Sequence, residues 1–140
     1  PGTIAGIKDS SGDWNNTDML LKNFQSDSFD VFCGSEVFLL QTLRGGGAGC
    51  ITATANTNAP QIVDLYKNWQ GPEADAKQAA VTATRLAFAK APMIASMKAV
   101  IAKEIGEPEW AMPRPPLMPA SAEKMAPVFE ELKKLGYKYV

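Results

Sequence analysis

Three short apolar runs, each followed by a stretch of helical character, are the feature that most restricts the fold of this chain. Each run has the length of a strand, and each following stretch carries apolar residues at helical spacing. The runs are 4–7, 29–33 and 49–53, and the helical stretches are 15–24, 36–44 and one that begins at Pro60. Repeated strand–helix units predict parallel strands joined by right-handed crossovers. The chain is therefore predicted to have an α/β fold.

Helical patterns alone follow Gly71. The alanine-rich stretch 73–90 has strong helix propensity, and Pro92 opens a second helix that Gly106 ends. The segment 108–119 contains five prolines and is predicted to be extended before a last helix. The second half of the chain is therefore predicted to be a helical region without strands.

The chain is predicted to divide into two regions, with three βα units in residues 1–71 and a helical extension in residues 72–140. Parallel strands need helices on both faces, and three units cannot provide them alone. The chain also begins with Pro1 and enters a strand pattern almost at once. We therefore expect further βα units upstream of Pro1 in the natural protein.

The composition argues against several classes of function. The chain has 140 residues, a net charge of −1 and no histidine. This charge balance does not suit nucleic acid or an anionic membrane surface, and no apolar run approaches the roughly 20 residues that cross a bilayer. The commonest general base and zinc ligand is missing. Cys33 and Cys50 are predicted to be small, buried free thiols in strands, in a protein expected to be cytoplasmic.

Lys8 is the residue on which the chemistry is predicted to depend. It follows the first apolar run and precedes a loop, which puts it at the C-terminal end of a strand, where βα barrels carry their active sites. Desolvation of the ammonium there would lower the lysine pKa from about 10.4 and make the amine nucleophilic. From position alone, a solvated strand-end lysine is the commoner case.

Four segments resemble the dihydrodipicolinate synthase / N-acetylneuraminate lyase family, in the order and spacing of that family. They are 6–12 (GIKDSSG), 33–36 (CGSE), 45–56 (GGGAGCITATAN) and 114–119 (RPPLMP). The resemblance covers nearly all of the chain. It implies a TIM (β/α)8 barrel, of which this chain supplies strands six to eight and the helical C-terminal extension.

The resemblance also implies roles for six residues. Lys8 is the lysine that forms an imine with pyruvate. The others are implied to contact substrate, namely Gly34, Ser35, Glu36, Ile51 and Thr52. Two alternatives stay open: Glu36 as a first-turn acid favoured by the helix dipole, and Ile51 as plain core. The segment 34–36 (GSE) departs from the acidic motifs of the family, which leaves the second substrate undecided.

The implied activity is that of a carbon–carbon or carbon–oxygen lyase that needs no metal or other cofactor. Pyruvate, held as the lysine imine or enamine, condenses with an aldehyde such as aspartate semialdehyde. The alternatives are a sugar-acid aldolase or dehydratase, acting on a 2-keto-3-deoxy acid or N-acetylneuraminate, and a non-catalytic barrel. By analogy we expect a homo-oligomer, a dimer or tetramer. The chain alone is expected to be inactive, because the missing units hold the groups that grip the pyruvate carboxylate.

Overall fold

Strands and helices alternate in the first half of the chain, as predicted. The computed structural model describes residues 3–138, and the expectation of units upstream of Pro1 concerns residues outside that range. The elements in this half are β1 (Gly6–Asp9), α1 (Trp14–Phe24), β2 (Asp30–Cys33), a 3-10 turn (Glu36–Phe38) that runs into α2 (Leu39–Arg44), β3 (Gly49–Cys50) and α3 (Ala55–Lys67).

The change to a helical region after Gly71 is confirmed. The elements from there to Lys138 are α4 (Ala74–Phe88), α5 (Met93–Ile105), a second 3-10 turn (Pro108–Ala111) and α6 (Ala122–Lys134). Gly106 ends α5 with a φ of 73°, in the left-handed region that glycine adopts without strain. Within residues 3–138, the helices are too short or too polar to cross a bilayer.

The three strands form one parallel sheet in the order β1-β2-β3. Lys8 pairs with Phe32, and Cys33 pairs with Cys50. Residues in register point to the same face of a sheet, and successive residues of a strand point to opposite faces. Val31 and Cys33 are fully buried, and Val31 packs against α1. Phe32 and Lys8 therefore lie on the other face, which we call the open face.

The hydrophobic core continues across the predicted boundary at residues 71 and 72. One cluster of buried side chains joins α2, α3 and α4, with Leu39, Leu65 and Val81 among its members. A second cluster joins α4, α5 and α6. Helix α4 belongs to both clusters, so it connects the βα region to the helices that follow.

Three segments differ from the prediction. The segment 108–119 is not extended throughout, because it begins with the 3-10 turn Pro108–Ala111. Helix α3 begins at Ala55 rather than at Pro60, and Asn58, with a φ of −139°, divides it into two segments. Pro60 lies in the first turn of the second segment, where its missing N–H costs no hydrogen bond. The third apolar run, residues 49–53, forms a strand only at Gly49–Cys50, because its partner β2 ends at Cys33.

Asp9 ties the end of β1 to α1. Its buried carboxylate accepts hydrogen bonds from the Ser11 amide at 2.9 Å, the Ser11 hydroxyl at 3.0 Å and the Thr17 hydroxyl at 2.6 Å. Burial raises the pKa of Asp9, but these hydrogen bonds outweigh it and hold the pKa below its ordinary value of 3.8. The ionised carboxylate therefore fixes the loop that follows Lys8.

Replacing Asp9 by asparagine is expected to lower the free energy of unfolding by about 1–3 kcal/mol at neutral pH, because one acceptor oxygen becomes a donor. The folded pKa of Asp9 is depressed, so its contribution is present above about pH 4 and is lost as the pH falls through the folded pKa. Urea unfolding measures the free energy of unfolding of the wild type and of Asp9→Asn at about pH 7 and about pH 3. The difference in this free energy between the two proteins should be smaller at the lower pH. Asp18→Asn on α1 is the matched control, and an acid-independent difference would contradict the assignment.

Candidate active site

Lys8 lies on the open face, one residue before β1 ends. It is the third residue of the strand and is exposed to solvent. Within residues 3–138 the side chain is exposed because the open face lies against solvent in this part of the chain. Removal of the ammonium from water, which was expected of the complete barrel, stays a prediction.

Gly34 is where the loops that follow β1 and β2 meet. Its amide donates a hydrogen bond to the Asp9 carbonyl at 2.6 Å. A Cβ atom at this position would lie 2.6 Å from the same carbonyl oxygen and 2.6 Å from the Ser10 hydroxyl. No side chain fits at that distance from backbone, so glycine is required for the two strand ends to approach each other.

Ser35 and Glu36 begin the helical segment that follows β2. The Ser35 hydroxyl accepts a hydrogen bond from the Val37 amide at 3.3 Å and caps the 3-10 turn. Glu36 is the first residue of that turn and is completely buried, with 0% exposure. Ser35 therefore caps this turn, whereas Glu36 occupies its first position and directs its carboxylate toward residues outside the turn.

Ile51 follows β3 at the same edge of the sheet. Its amide donates to the Cys33 carbonyl at 2.9 Å. Because Cys50 is in register with Cys33, the strand alternation turns the Ile51 side chain toward the open face, where Lys8 also lies. The side chain is 49% exposed, so within residues 3–138 it does not belong to the core.

The Glu36 carboxylate is surrounded by donors, and we call Glu36, Thr52, Thr54 and Arg85 the Glu36 cluster. The Thr54 hydroxyl donates a short hydrogen bond to Oε1. Oε2 accepts from the Thr52 hydroxyl at 2.5 Å and from Arg85 Nη1 at 3.1 Å. Arg85 Nη1 also donates to the Thr52 hydroxyl at 3.2 Å. Both carboxylate oxygens are thereby occupied by protein groups.

Thr54 and Arg85 were not predicted from the sequence to belong to this site. Arg85 lies in the alanine-rich helix α4, far along the chain from Glu36, and no local pattern links the two. A buried carboxylate is normally paired with a group of opposite charge. This rule predicts a cation near Glu36 once Glu36 is known to be buried, but it does not identify Arg85.

Cys33 and Cys50 are free thiols that lie side by side on β2 and β3. Cys33 is buried as predicted, whereas Cys50 is only half-buried, so the prediction of a buried thiol is wrong for Cys50. The hydrogen bond with Cys33, together with burial, raises the pKa of Cys50 well above that of an ordinary thiol. A thiol that stays protonated is a poor nucleophile.

The chain is similar to lyases and synthases of one group. It is 34% identical to an uncharacterized DapA-like lyase of Chloroflexus aurantiacus, over 86% of this chain and 40% of that protein. It is 32% identical to a probable 2-dehydro-3-deoxy-D-pentonate aldolase of Escherichia coli K12, over 86% of this chain and 42% of that protein. It is 28% identical to the 4-hydroxy-tetrahydrodipicolinate synthase of Methanopyrus kandleri, over 95% and 44%. The chain thus spans less than half the length of these relatives.

The fold is similar to that of a solved structure of the same group. YagE of Escherichia coli K12, a protein of the dihydrodipicolinic acid synthase family solved in complex with pyruvate, superposes with a TM-score of 0.82. The match covers 96% of this chain and 47% of YagE, at 22% sequence identity. The family model described as the dihydrodipicolinate synthetase family matches residues 2–135. With a match over almost its whole length, the chain belongs to the dihydrodipicolinate synthetase family.

Proposed function

We propose that this chain carries the imine-forming lysine of a lyase or synthase of the dihydrodipicolinate synthase type. In this proposal, Lys8 condenses with pyruvate, and the resulting enamine adds to an aldehyde such as aspartate semialdehyde. The observation that carries the proposal is the position of Lys8 in a chain of this family. It lies on the open face, at the edge of a parallel sheet where all three strands end.

The groups around that edge suit a binding site. Gly34 brings the loop after β2 against the end of β1 without adding a side chain. Ile51 offers an apolar side chain on the same face as Lys8, and its amide is held by β2. In this proposal Gly34, Ser35 and Ile51 form the rim that the second substrate meets, and Thr52 stands directly behind it.

We propose in addition that residues 1–71 are the last three βα units of a TIM barrel and that residues 72–140 are its helical extension. Two observations support this architecture. The chain spans less than half the length of its relatives, and exposed residues such as Lys8 and Ile51 lie on the open face. Parallel sheets are normally covered on both faces. The remaining units would remove water from Lys8 and bind the pyruvate carboxylate.

The proposed reaction is covalent catalysis by an amine. The Lys8 nitrogen attacks the C2 carbonyl carbon of pyruvate, water leaves and a protonated imine forms. The positive imine nitrogen accepts the electron pair that remains when C3 loses a proton, which gives the enamine. The enamine carbon then attacks the aldehyde carbon, the aldehyde oxygen takes up a proton, and water releases the product from the lysine.

Two classes of second substrate are candidates for this site. Relatives include a 4-hydroxy-tetrahydrodipicolinate synthase and a probable 2-dehydro-3-deoxy-D-pentonate aldolase. Both activities fit the same lysine chemistry. We propose the synthase type first and the sugar-acid aldolase or dehydratase second, in a homo-oligomeric full-length protein.

Pyruvate and borohydride are expected to leave a reduced pyruvate adduct on Lys8 of the full-length protein, because borohydride reduces a protonated imine to a stable amine. Lys8→Arg should abolish the adduct and lower turnover by about 10³-fold or more, since a guanidinium cannot form the imine. Peptide mass spectrometry and steady-state kinetics measure the two effects.

Lys22→Arg provides the matched control for that experiment. Lys22 is an exposed lysine on α1 that pairs with Asp18, and its replacement should change neither the adduct nor turnover. An adduct on another lysine, or none, would contradict the proposed role of Lys8. The absence of any adduct would favour a non-catalytic barrel of the same fold.

A panel of substrates separates the synthase from the aldolase. The full-length protein is expected to consume aspartate semialdehyde in the presence of pyruvate, and to cleave 2-keto-3-deoxy sugar acids and N-acetylneuraminate at least about tenfold less efficiently in kcat/KM. Coupled assays for pyruvate consumption and release make the comparison. Efficient cleavage of a deoxy sugar acid, with no reaction of the semialdehyde, would reverse the order of the two candidates.

A further inference from the structure

We propose that Glu36 and Arg85 are positioning residues, which hold the loops after β2 and β3 in place for the second substrate. This inference rests on the proposed function and replaces the substrate contact that the family resemblance implies for Glu36. Glu36 then acts from behind the rim instead of contacting substrate, and helix α4 becomes part of the apparatus that shapes the site.

Both Glu36 carboxylate oxygens already accept hydrogen bonds from protein groups, and the side chain has no exposed surface for a ligand to contact. Oε1 is occupied by Thr54, and Oε2 is occupied by Thr52 and Arg85. A substrate could reach the carboxylate only by displacing these groups. Because an unpaired buried charge costs several kcal/mol, that displacement is unfavourable.

Helix α4 holds the segment after β2 in two ways. Arg85 binds the Glu36 side chain. Gln78, seven residues earlier and on the same helical face, binds the backbone, with its Nε2 donating to the Glu36 carbonyl at 2.9 Å and its Oε1 accepting from the Leu40 amide at 2.9 Å. The beginning of the 3-10 turn and of α2 is therefore fixed by side chains of the helical region.

The Glu36 cluster also includes residues of the loop after β3. Thr52 and Thr54 donate to the two oxygens of one carboxylate, so that carboxylate holds both ends of the segment 52–54. Ile51 directly precedes that segment. A change in the Glu36 cluster would therefore move the Ile51 backbone and side chain on the open face, without a direct contact between Glu36 and a ligand.

The cluster also fixes which way the Thr52 hydroxyl points. The Thr52 hydroxyl donates its hydrogen bond to Glu36 Oε2 and accepts a hydrogen bond from Arg85 Nη1. Glu36→Gln would break this arrangement, since the amide offers one acceptor and one donor where the carboxylate offers two acceptors. Arg85→Lys would keep the charge but shorten the side chain, so the nitrogen at the Nη1 position that donates to both Glu36 and Thr52 would be withdrawn.

Glu36→Gln and Arg85→Lys are expected to lower kcat/KM for the aldehyde by about 10–100-fold, since each leaves a buried polar group without its partner. The pyruvate concentration that gives half-maximal borohydride trapping at Lys8 should stay within about twofold, because Lys8 lies on β1, outside the cluster. Thr52→Ser should retain most activity and Thr52→Val should behave like Glu36→Gln. The full-length protein, steady-state kinetics and peptide mass spectrometry serve for all variants.

Asp75→Asn and Arg44→Lys are the matched controls. Asp75 and Arg44 form an exposed pair between α4 and α2, so these changes should leave aldehyde kinetics unchanged. If Glu36→Gln fails to fold, Arg85→Lys and the two Thr52 variants decide the question. Aldehyde kinetics like those of the controls, or equal loss of pyruvate trapping and aldehyde turnover, would overturn the positioning role. The absence of an adduct on wild-type Lys8 would instead overturn the proposed function.

Discussion

Parallel pairing of three very short strands is the constraint on which the rest of this structure depends. Because the strands run in one direction, their carboxyl ends meet at one edge, and the loops that follow them become neighbours. Lys8, Gly34 and Ile51 are far apart in the chain and come together only for this reason. β3 has only two residues in strand conformation, and side-chain hydrogen bonds from Thr52 and Thr54 to Glu36 also hold the segment that follows it.

The helical region supplies many of those contacts. Helix α4 shares one hydrophobic cluster with α2 and α3 and another with α5 and α6. It also carries Gln78 and Arg85, the two polar side chains that reach the segment after β2. The division at residue 71 describes the order of elements along the chain, whereas the packing is continuous across it.

The sequence alone was sufficient for the features that are local. The βα alternation, the end of α5 at Gly106 and the free cysteines in strands follow from spacing, from turn chemistry and from the character of thiols. The four segments of 6–12, 33–36, 45–56 and 114–119 identified the family, and the match over residues 2–135 confirms it.

The features that could not be predicted depend on partners distant in the chain. Periodicity and spacing do not connect Glu36 to Arg85, and they do not reveal the helical turn before Pro60, which the break at Asn58 separates from the rest of α3. The expected desolvation of Lys8 stays a prediction, because it requires a layer of atoms over the open face that residues 3–138 do not supply. A motif identifies a lysine but does not supply its surroundings.

The Glu36 cluster also limits how the loops of this chain can be exchanged. Its residues come from three stretches of the chain, and the buried Glu36 carboxylate depends on partners from the other two. A chimera that received only the strand-end loops of another protein could contain the carboxylate without the Arg85 guanidinium, or the guanidinium without the carboxylate. Exchange of a single loop would then leave a buried charge unpaired and lower the stability of the fold, so the loop and α4 have to be exchanged together.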